Sequence, residues 1–515
     1  MSRLALVSVW DKTGIIELAA KLVQDFDFEL ISSGGTAKIL TEAGLPVIKV
    51  SDYTNSPEIL GGRVKTLHPR IHGGILARRD LAEDLADLEN YQIRPFDLIV
   101  VNLYPFAETI AQPGVTLAEA VEQIDIGGVA LLRAAAKNFA YTTVLAQTSS
   151  YTEYLAELAQ KQGNPSLIFR QSMAVAAFAH TQAYDQAIAN YLANYNSGPD
   201  LPRDFSLRGQ QIQGLRYGEN PHQQASWYQS GTQPTGWSAA QQIQGKELSY
   251  NNLVDLEAAR AIIAEFPPEV APAVAILKHT NPCGVALGDT VHQAYTKARE
   301  ADSVSAFGGI VAVNRPIDLE TAQALTETFL ECVVAPGCET AAQELLATKS
   351  NLRVLLLPTL AQGPAYSIKA IAGGFLVQTT DSVVDDPQTW QIVSQKHPDT
   401  EQVDELSFAW KVAKHVKSNS IVISKDNVTL GIGAGQMNRV GSVKIALEAA
   451  QTRATGAVLA SDGFFPFDDS VRTAAAAGIS AIIQPGGSIR DGDSIKAANE
   501  LGLIMILTGM RHFLH

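Results

Sequence analysis

The chain has 515 residues, of which 46% are hydrophobic and 18% charged, enough material for about three cores. Its 53 acidic and 39 basic side chains leave a formal charge of -14, which disfavours nucleic acid or an anionic membrane as a nonspecific partner and requires any anionic substrate to find a local basic pocket. Cys283, Cys332 and Cys338 lack CxxC spacing and argue against disulfide and structural zinc frameworks. No apolar stretch approaches the roughly 18 residues of a membrane span, and the first residues lack a signal-peptide layout, so a cytoplasmic protein is expected.

In chain order, residues 4–9 (LALVSV) read as a strand, a helix is expected from near Thr13, and residues 28–31 and 97–101 read as further strands. Such alternation points to parallel βαβ units. SSGGT (32–36) follows one of these strands and precedes a helix over 37–43 closed by Gly44. The turn-rich segment 194–204 reads as a linker, with the domain boundary between 198 and 199. Beyond it, strands at 274–277, 310–313, 421–424, 457–460 and 481–484 alternate with helical stretches such as 442–451. Residues 503–507 read as a short buried strand, and the alanines at 474–477 as part of a packed helix. The fold class is therefore α/β throughout, with residues 199–515 large enough for two subdomains.

The run 273–277 (AVAIL) holds nothing polar and suits a central strand; Lys278 and His279 emerge where it stops and a turn over 280–284 (TNPCG) begins. Ligands of open α/β sheets bind outside the carboxyl ends of strands. An ammonium and an imidazole placed there can exchange protons with one bound molecule, or they are two solvated residues opening a loop. Successive strand residues face opposite ways, so both reach one substrate only if the strand ends at Leu277.

In the first domain, the small residues of SSGGT let backbone N–H groups at a helix start approach an anion, although an ordinary βα loop is built the same way. GGRVKTLHP (61–69) gathers two cations, a hydroxyl and an imidazole, and NLYPF (102–106), QIDIGG (123–128) and RAAAKN (133–138) follow. Asp125, between two isoleucines, needs a cation or substrate to answer it, or caps a helix running from about Val129. Lys137 is either functional or a surface lysine. The second part carries RYGENPHQ (216–223), SAFGG (305–309), SNS (418–420), GIGAGQMNR (431–439) and SDGFFPF (461–467). The glycines at 431–435 fail the GxGxxG spacing, which rejects a dinucleotide site. Phe464, Phe465 and Phe467 would ordinarily be core, and Arg439 a surface charge.

In this order, SGGT (33–36), GGRVKTLHP, NLYPF, and IDIGG followed by LLRAAAKN resemble the inosinate cyclohydrolase domain of the bifunctional purine-biosynthesis formyltransferase and cyclohydrolase family, over nearly all of residues 1–195. From about residue 205 the second set of motifs resembles the transformylase half of that family. The resemblance implies a Rossmann-like, methylglyoxal-synthase-like N-terminal domain followed by two cytidine-deaminase-like subdomains. It also implies two reactions, the last two of de novo purine biosynthesis. A formyl group passes from 10-formyltetrahydrofolate, a co-substrate, to the 5-amino group of aminoimidazole carboxamide ribonucleotide (AICAR). The product (FAICAR) then closes to inosinate (IMP) with loss of water.

Carried over position by position, the resemblance puts Lys65, Tyr104, Asp125 and Lys137 around the cyclising groups. Asp125 would take a proton from the attacking amide while Lys65 and Lys137 supply charge to the formyl oxygen. Ser8, Lys12, Ser33, Gly34, Gly35, Thr36, Arg63, Thr66, Asn102 and Gly127 become nucleotide and phosphate contacts. In the second part His279 would assist loss of the amine proton, Lys278 would stabilise the transition state or protonate the departing folate nitrogen, and Asn419 would hold the formyl oxygen. Arg216, Tyr217, Gly308, Glu331, Arg439, Phe464 and Arg511 would line the ribonucleotide and folate pocket, with Asp469 nearby. Two positions depart from the pattern: Trp10 stands where the family commonly has serine, and Glu331 where some relatives carry aspartate.

The family implies a homodimer with transformylase sites at the subunit interface. No catalytic metal is expected, because the zinc deaminase pattern needs H-x-E and P-C-x-x-C, whereas KHT (278–280) lacks the glutamate and PCGVA (282–286) the second cysteine. The rival reading makes the N-terminal domain a nucleotide-sensing module without turnover. The acid–base equipment of Lys65, Tyr104, Asp125 and Lys137 exceeds what binding alone requires.

Overall fold

The structure, a computed structural model, describes residues 2–195, 201, 203–231 and 233–515. The chain divides into two compact units, Met1–Phe205 and Ser206–His515. The boundary expected at 198/199, with much of its linker, falls outside the described residues.

The first unit is built on a five-stranded sheet in the order Val47–Lys49, Phe28–Ser32, Arg3–Val9, Leu98–Asn102, Thr143–Leu145, with every neighbouring pair parallel. Parallel sheets need cover on both faces, which is why Leu4–Val7 and Leu98–Val101 are apolar at every position and buried throughout. Helix Ile15–Phe26 supplies part of that cover through Ile15, Leu18, Ala19 and Leu22, a spacing that lines one helical face. It starts two residues later than expected, after Gly14 in a left-handed conformation. Helix Gly127–Lys137 packs on the strands Leu98–Asn102 and Thr143–Leu145, and the long helix Leu167–Asn194 packs on it in turn.

The second unit holds a twelve-stranded sheet made of two copies of one plan. In the first copy, edge strand Gln241–Gln244 leads to helix Tyr250–Ile263, the hairpin Ala273–Lys278 and Asn281–Leu287, and helix Val291–Ala301. Parallel strands Ile310–Val313, Cys332–Ala335 and Arg353–Leu356 follow. The second copy runs Gln391–Ile392, helix Thr400–Ala413, hairpin Ile421–Lys425 and Val428–Gly433, helix Arg439–Ala450, then parallel strands Val458–Ser461, Ala481–Gln484 and Ile504–Leu507. In each copy the edge strand lies antiparallel on the last strand. The two copies share one continuous sheet and one compact unit.

The copies join antiparallel, with Ala286 opposite Val428 and the Thr429 hydroxyl accepting the Val285 N–H at 3.0 Å. This seam decides what meets at each edge. The turn of the first hairpin lies beside the segment leading into the second copy, where the Lys417 N–H donates to Asn281 Oδ1 at 3.2 Å. The turn of the second hairpin lies beside the segment leading into the first, where Leu287 N–H donates to the Asn427 carbonyl and Gly288 N–H to that of Pro272, both at 3.0 Å.

Three glycines set the depth of packing. A Cβ on Gly284 would strike the Ala298 carbonyl oxygen, one on Gly431 that of Ala446, and one on Gly433 that of Ser442. Helices Val291–Ala301 and Arg439–Ala450 therefore rest backbone against backbone on the hairpins. Outside the sheet, strands Tyr366–Ile371 and Gly374–Thr379 form a separate hairpin exposed along both strands. Among the described residues no helix is long and apolar enough to cross a membrane.

Candidate active sites

In the first unit the carboxyl ends of the central strands bring the predicted loops to one edge of the sheet. Ser33 is the N-cap of a helix that begins at Gly34, three residues earlier than expected. Gly34 has φ +54°, and a Cβ there would lie 3.1 Å from Lys65 Nζ, so the position needs glycine for its backbone and for room beside the ammonium. Gly35 faces open space. Thr36 is buried with its hydroxyl spent on Val9, donating to the carbonyl (3.0 Å) and accepting from the N–H (3.2 Å). Asn102 fixes the loop after the first strand: its Oδ1 accepts from the N–H groups of Trp10 (2.5 Å) and Asp11 (2.9 Å), and its Nδ2 donates to the Asp11 carbonyl (3.0 Å). Lys12 bonds the carbonyls of Val9 and Trp10, and burial lowers its pKa. Ser8 lies near the end of the first strand, paired in register with Val101.

Asp125 precedes helix Gly127–Lys137, which starts two residues before the expected Val129. Its Oδ1 accepts the Gly128 N–H at 2.7 Å, and its own N–H donates to the Tyr184 hydroxyl at 2.8 Å, which in turn donates to the Gln123 carbonyl. Burial pushes the Asp125 carboxyl above its ordinary value, while the N–H groups of Gly128 and Tyr104 and the charge of Lys65 pull it down. Burial, then the charges of Asp125 and Glu122, push the Tyr104 phenol up. Trp10, the departure from the family pattern, packs edge-on against Tyr104 with ring centroids 5.3 Å apart. Thr66 is buried against Gly127, and Arg63 pairs with Glu122 at the surface.

Lys65, Tyr104 and Asp125 thus share one electrostatic neighbourhood. Lys137 does not join them in this unit: it ends the helix that Gly127 begins, about 15 Å along the axis. There, with Arg133, Val175 and Phe178, it lines a groove of about 560 Å³. Tyr184, which anchors the Asp125 backbone, had no local signal in the sequence.

In the second unit, strand Ala273–Lys278 extends one residue past the expected end at Leu277, and the expected turn over 280–284 is mostly strand. The turn itself is only His279–Thr280, both left-handed with φ +54° and +62°. The expected end at Leu277 is therefore not met, but His279 lies outside the strand, so strand alternation does not set it opposite Lys278. Asp255 accepts the Thr280 N–H at 2.7 Å, and Lys278 Nζ donates to the Phe307 carbonyl at 2.9 Å, beside Gly308 with φ +73°. A cavity of about 280 Å³ opens here, lined by Lys278, His279, Asn281, Asp302 and Gly431 among others.

Across the seam Asn419 follows a cis peptide from Ser418. Its Nδ2 donates to the Gln436 carbonyl (2.8 Å), and its Oδ1 accepts from Arg439 Nη2 (2.7 Å). Arg439 is no surface charge: it is buried, and Nη1 donates to Asp462 Oδ1 (2.5 Å) and Ser461 Oγ (2.8 Å). Asp462 also accepts the Ser418 hydroxyl at 2.5 Å and the Ser420 N–H at 3.1 Å. The segment carrying Arg511 lies alongside, with the His512 N–H donating to the Asp462 carbonyl and the Ser418 N–H to that of Leu514.

Of the three phenylalanines expected in the core, Phe465 is buried while Phe464 and Phe467 are exposed. Arg216 stacks on Tyr217 in a loop tied to the start of helix Tyr250–Ile263 through Asn251. Glu331 is paired with Arg353 at 2.8 Å, and Asp469 takes the N–H of its neighbour Ser470.

A family model described as the AICARFT/IMPCHase bienzyme matches residues 135–449, and one described as an MGS-like domain matches residues 14–130. The chain is 68% identical over 518 aligned positions to the bifunctional purine biosynthesis protein PurH of Gloeothece citriformis (strain PCC 7424), and 68% identical over 517 to that of Rippkaea orientalis (strain PCC 8801 / RF-1). All of this chain and all of each relative are covered. Among solved structures, ForH is 37% identical with a TM-score of 0.35, over 38% of this chain and 100% of that one.

Proposed function

The chain belongs to the AICARFT/IMPCHase bienzyme family, and from that premise we propose that the two clusters described above are its two active sites. The protein is a bifunctional enzyme of purine biosynthesis, an AICAR formyltransferase and IMP cyclohydrolase acting on small molecules with a folate-type co-substrate. That family membership disfavours the nucleotide-sensing alternative. We assign cyclisation to residues 1–198 and formyl transfer to residues 199–515, with 10-formyltetrahydrofolate as the donor.

In cyclisation both reacting atoms belong to one molecule, so the site has to hold a productive rotamer, stabilise developing charge and move protons. The Asp125 carboxylate, made more basic by burial, takes the proton from the attacking carboxamide nitrogen of FAICAR. Lys65 stabilises the formyl oxygen as it leaves as water, and the Tyr104 phenol stands within the field of Asp125. Ser33, Gly34, Gly35, Lys12 and Arg63 receive the nucleotide and its phosphate. Lys137 is given no step.

In formyl transfer the 5-amino group of AICAR is a poor nucleophile because its lone pair is shared with the ring and carboxamide. His279 takes its proton as the nitrogen bonds to the formyl carbon, Lys278 stabilises the transition state or protonates the folate nitrogen as its bond to that carbon breaks, and Asn419 keeps one amide hydrogen beyond the Gln436 bond to meet the formyl oxygen. Arg439 acts by holding Asn419 rather than from the surface. The observation carrying this reading is the antiparallel seam, which sets the His279 turn beside the Asn419 segment through the Asn281–Lys417 bond.

The exposed hairpin bearing Ile371, Phe375 and Leu376 supports a homodimer, and the net charge supports an enzyme without nucleic-acid or anionic-membrane partners, which we place in the cytoplasm. The test is a mass-resolved assay with AICAR and 10-formyltetrahydrofolate that follows FAICAR and IMP. The native chain yields IMP; Asp125→Asn accumulates FAICAR with its folding intact. IMP formation at the native rate by that variant removes the role of Asp125.

A further inference from the structure

We propose that Asp255 is a positioning residue for formyl transfer, holding the His279–Thr280 turn in a left-handed conformation and thereby aiming the His279 ring. The proposal rests on His279 acting as the base assigned above. Its support is a comparison that the fold itself provides.

Both hairpins close with two residues at positive φ, the geometry for which Asn, Asp and Gly are strongly preferred. The second hairpin obeys that preference with Asp426 (φ +57°) and Asn427 (φ +54°). The first does not: it places an imidazole and a β-branched threonine there, and Thr280 at φ +62° is in a region its side chain opposes. Some other contact has to hold that turn.

Asp255 is the sixth residue of helix Tyr250–Ile263, and Glu405 is the sixth of helix Thr400–Ala413; each helix opens with a reciprocal capping box. Asp255 Oδ1 accepts the Thr280 N–H at 2.7 Å, and its carboxylate also meets the His279 N–H. Glu405 Oε2 accepts the Asn427 N–H at 2.7 Å and meets the Asp426 N–H. Both carboxylates clasp the N–H groups of their turn, and Glu405 takes the Ser424 hydroxyl as well. The lysine before each turn is equivalent too, Lys278 donating to the Phe307 carbonyl (2.9 Å) and Lys425 to that of Thr455 (3.3 Å), each ahead of a left-handed glycine.

What differs is the residue inside the clasp. Burial raises both carboxyls, but the charge of His279 pulls Asp255 back towards its ionised form, whereas that of Asp426 pushes Glu405 further up. The Thr280 hydroxyl (2.7 Å) and Asn281 Nδ2 (3.2 Å) also donate to the His279 carbonyl and add restraint to the strained turn. Asp255 thus does for a turn bearing chemistry what Glu405 does for a turn bearing none, and Glu405 serves as a control within the same chain.

The experiment compares Asp255→Ala, Asp255→Asn, Glu405→Ala and His279→Ala in the full-length protein. It measures kcat and KM for formyl transfer, cyclisation of supplied FAICAR, and the melting temperature. Asp255→Ala is expected to lose about a hundredfold in formyl-transfer kcat with KM little changed and cyclisation intact. Glu405→Ala should lower the melting temperature and keep kcat. Adding Thr280→Gly to Asp255→Ala should restore about tenfold, because glycine takes positive φ unaided.

A native kcat in Asp255→Ala, a loss no larger than that of Glu405→Ala, or a failure of the glycine to restore activity overturns the proposal. If Asp255→Ala does not fold, Asp255→Asn, the same shape with one acceptor oxygen kept, is read instead, with an expected loss of about tenfold. Native formyl transfer in His279→Ala overturns the assignment of the base itself, whatever Asp255 does.

Discussion

At one edge of the twelve-stranded sheet the His279–Thr280 turn is linked through Asn281 to Lys417, which leads into Ser418 and Asn419; at the other the Asp426–Asn427 turn is linked through Leu287 and Gly288 to Pro272. The parts correspond, but their polarity does not. After strand Ile310–Val313 the plain edge is closed by Asn314, whose Oδ1 accepts the Ala273 N–H (2.8 Å) and whose Nδ2 donates to the carbonyls of Phe266 and Ala271 (2.9 Å each). After strand Val458–Ser461 the equivalent position is Asp462, fully buried, and an amide's self-sufficient bonding is replaced by a charge that needs a cation. That cation is Arg439, which also grips Asn419. One edge remains framework, while the other has taken on buried charge and a turn unsuited to its residues, the usual signature of a functional region.

Three comparisons put this contrast at risk. The largest effect is expected at His279→Ala, which should slow formyl transfer by about a hundredfold to ten-thousandfold. Asp426→Ala at the other edge should leave kcat unchanged; similar losses in both would mean that the turns matter only for folding. Next is Arg439→Ala, which strands the buried Asp462 and should reduce stability by about 3–5 kcal/mol in urea unfolding. Asn314→Ala should cost only about 1–3 kcal/mol. Equal costs would erase the distinction between a charged and a neutral closure.

The smallest effect concerns His512, buried between Asp381 (2.6 Å) and Asp385 (3.0 Å) next to the Asp462 segment. Burial works against its charge, but hydrogen bonds and charge from the two aspartates outweigh it and carry its pKa up to about 9. A pKa raised on folding gives stability that is complete below the unfolded value near 6.5 and is lost as pH rises through about 9. Melting should therefore fall between pH 7 and pH 10, by no more than about 3 kcal/mol of stability, and His512→Gln should flatten that slope. An unchanged slope would separate His512 from the charged edge.

Where local pattern and tertiary structure agree, the sequence was legible. The strand-like runs at 310–313 and 481–484 are strands with the expected bounds, and 421–424 misses only Lys425. The hairpin at His279 was misread because its two residues lack turn chemistry and Pro282 argues against a strand; the missing term comes from Asp255, on a helix far upstream. Helix Gly127–Lys137 was placed late because glycines are poor helix formers. Here they open the helix because Thr66 and Asp125 crowd the space a Cβ would take. Family motifs located Asp125 and Lys65 together, yet motif order carries no distance along a helix, and Lys137 lies at its far end. Arg439 looked like surface because the carboxylate that buries it, Asp462, is remote in sequence.

The glycines of the two hairpins, one of them lining the cavity, have a bearing on how the site can change. Gly284 and Gly431 leave their helices resting on main chain, and main chain has no smaller or larger version of itself. A pocket walled by leucines can drift by a methylene at a time; this floor has no such intermediate steps, since the first added methyl group already meets a carbonyl oxygen. A change in what the site accepts therefore comes at lower cost from its rim, from the turns and the segments leading into each hairpin, than from the spacing of helix to sheet.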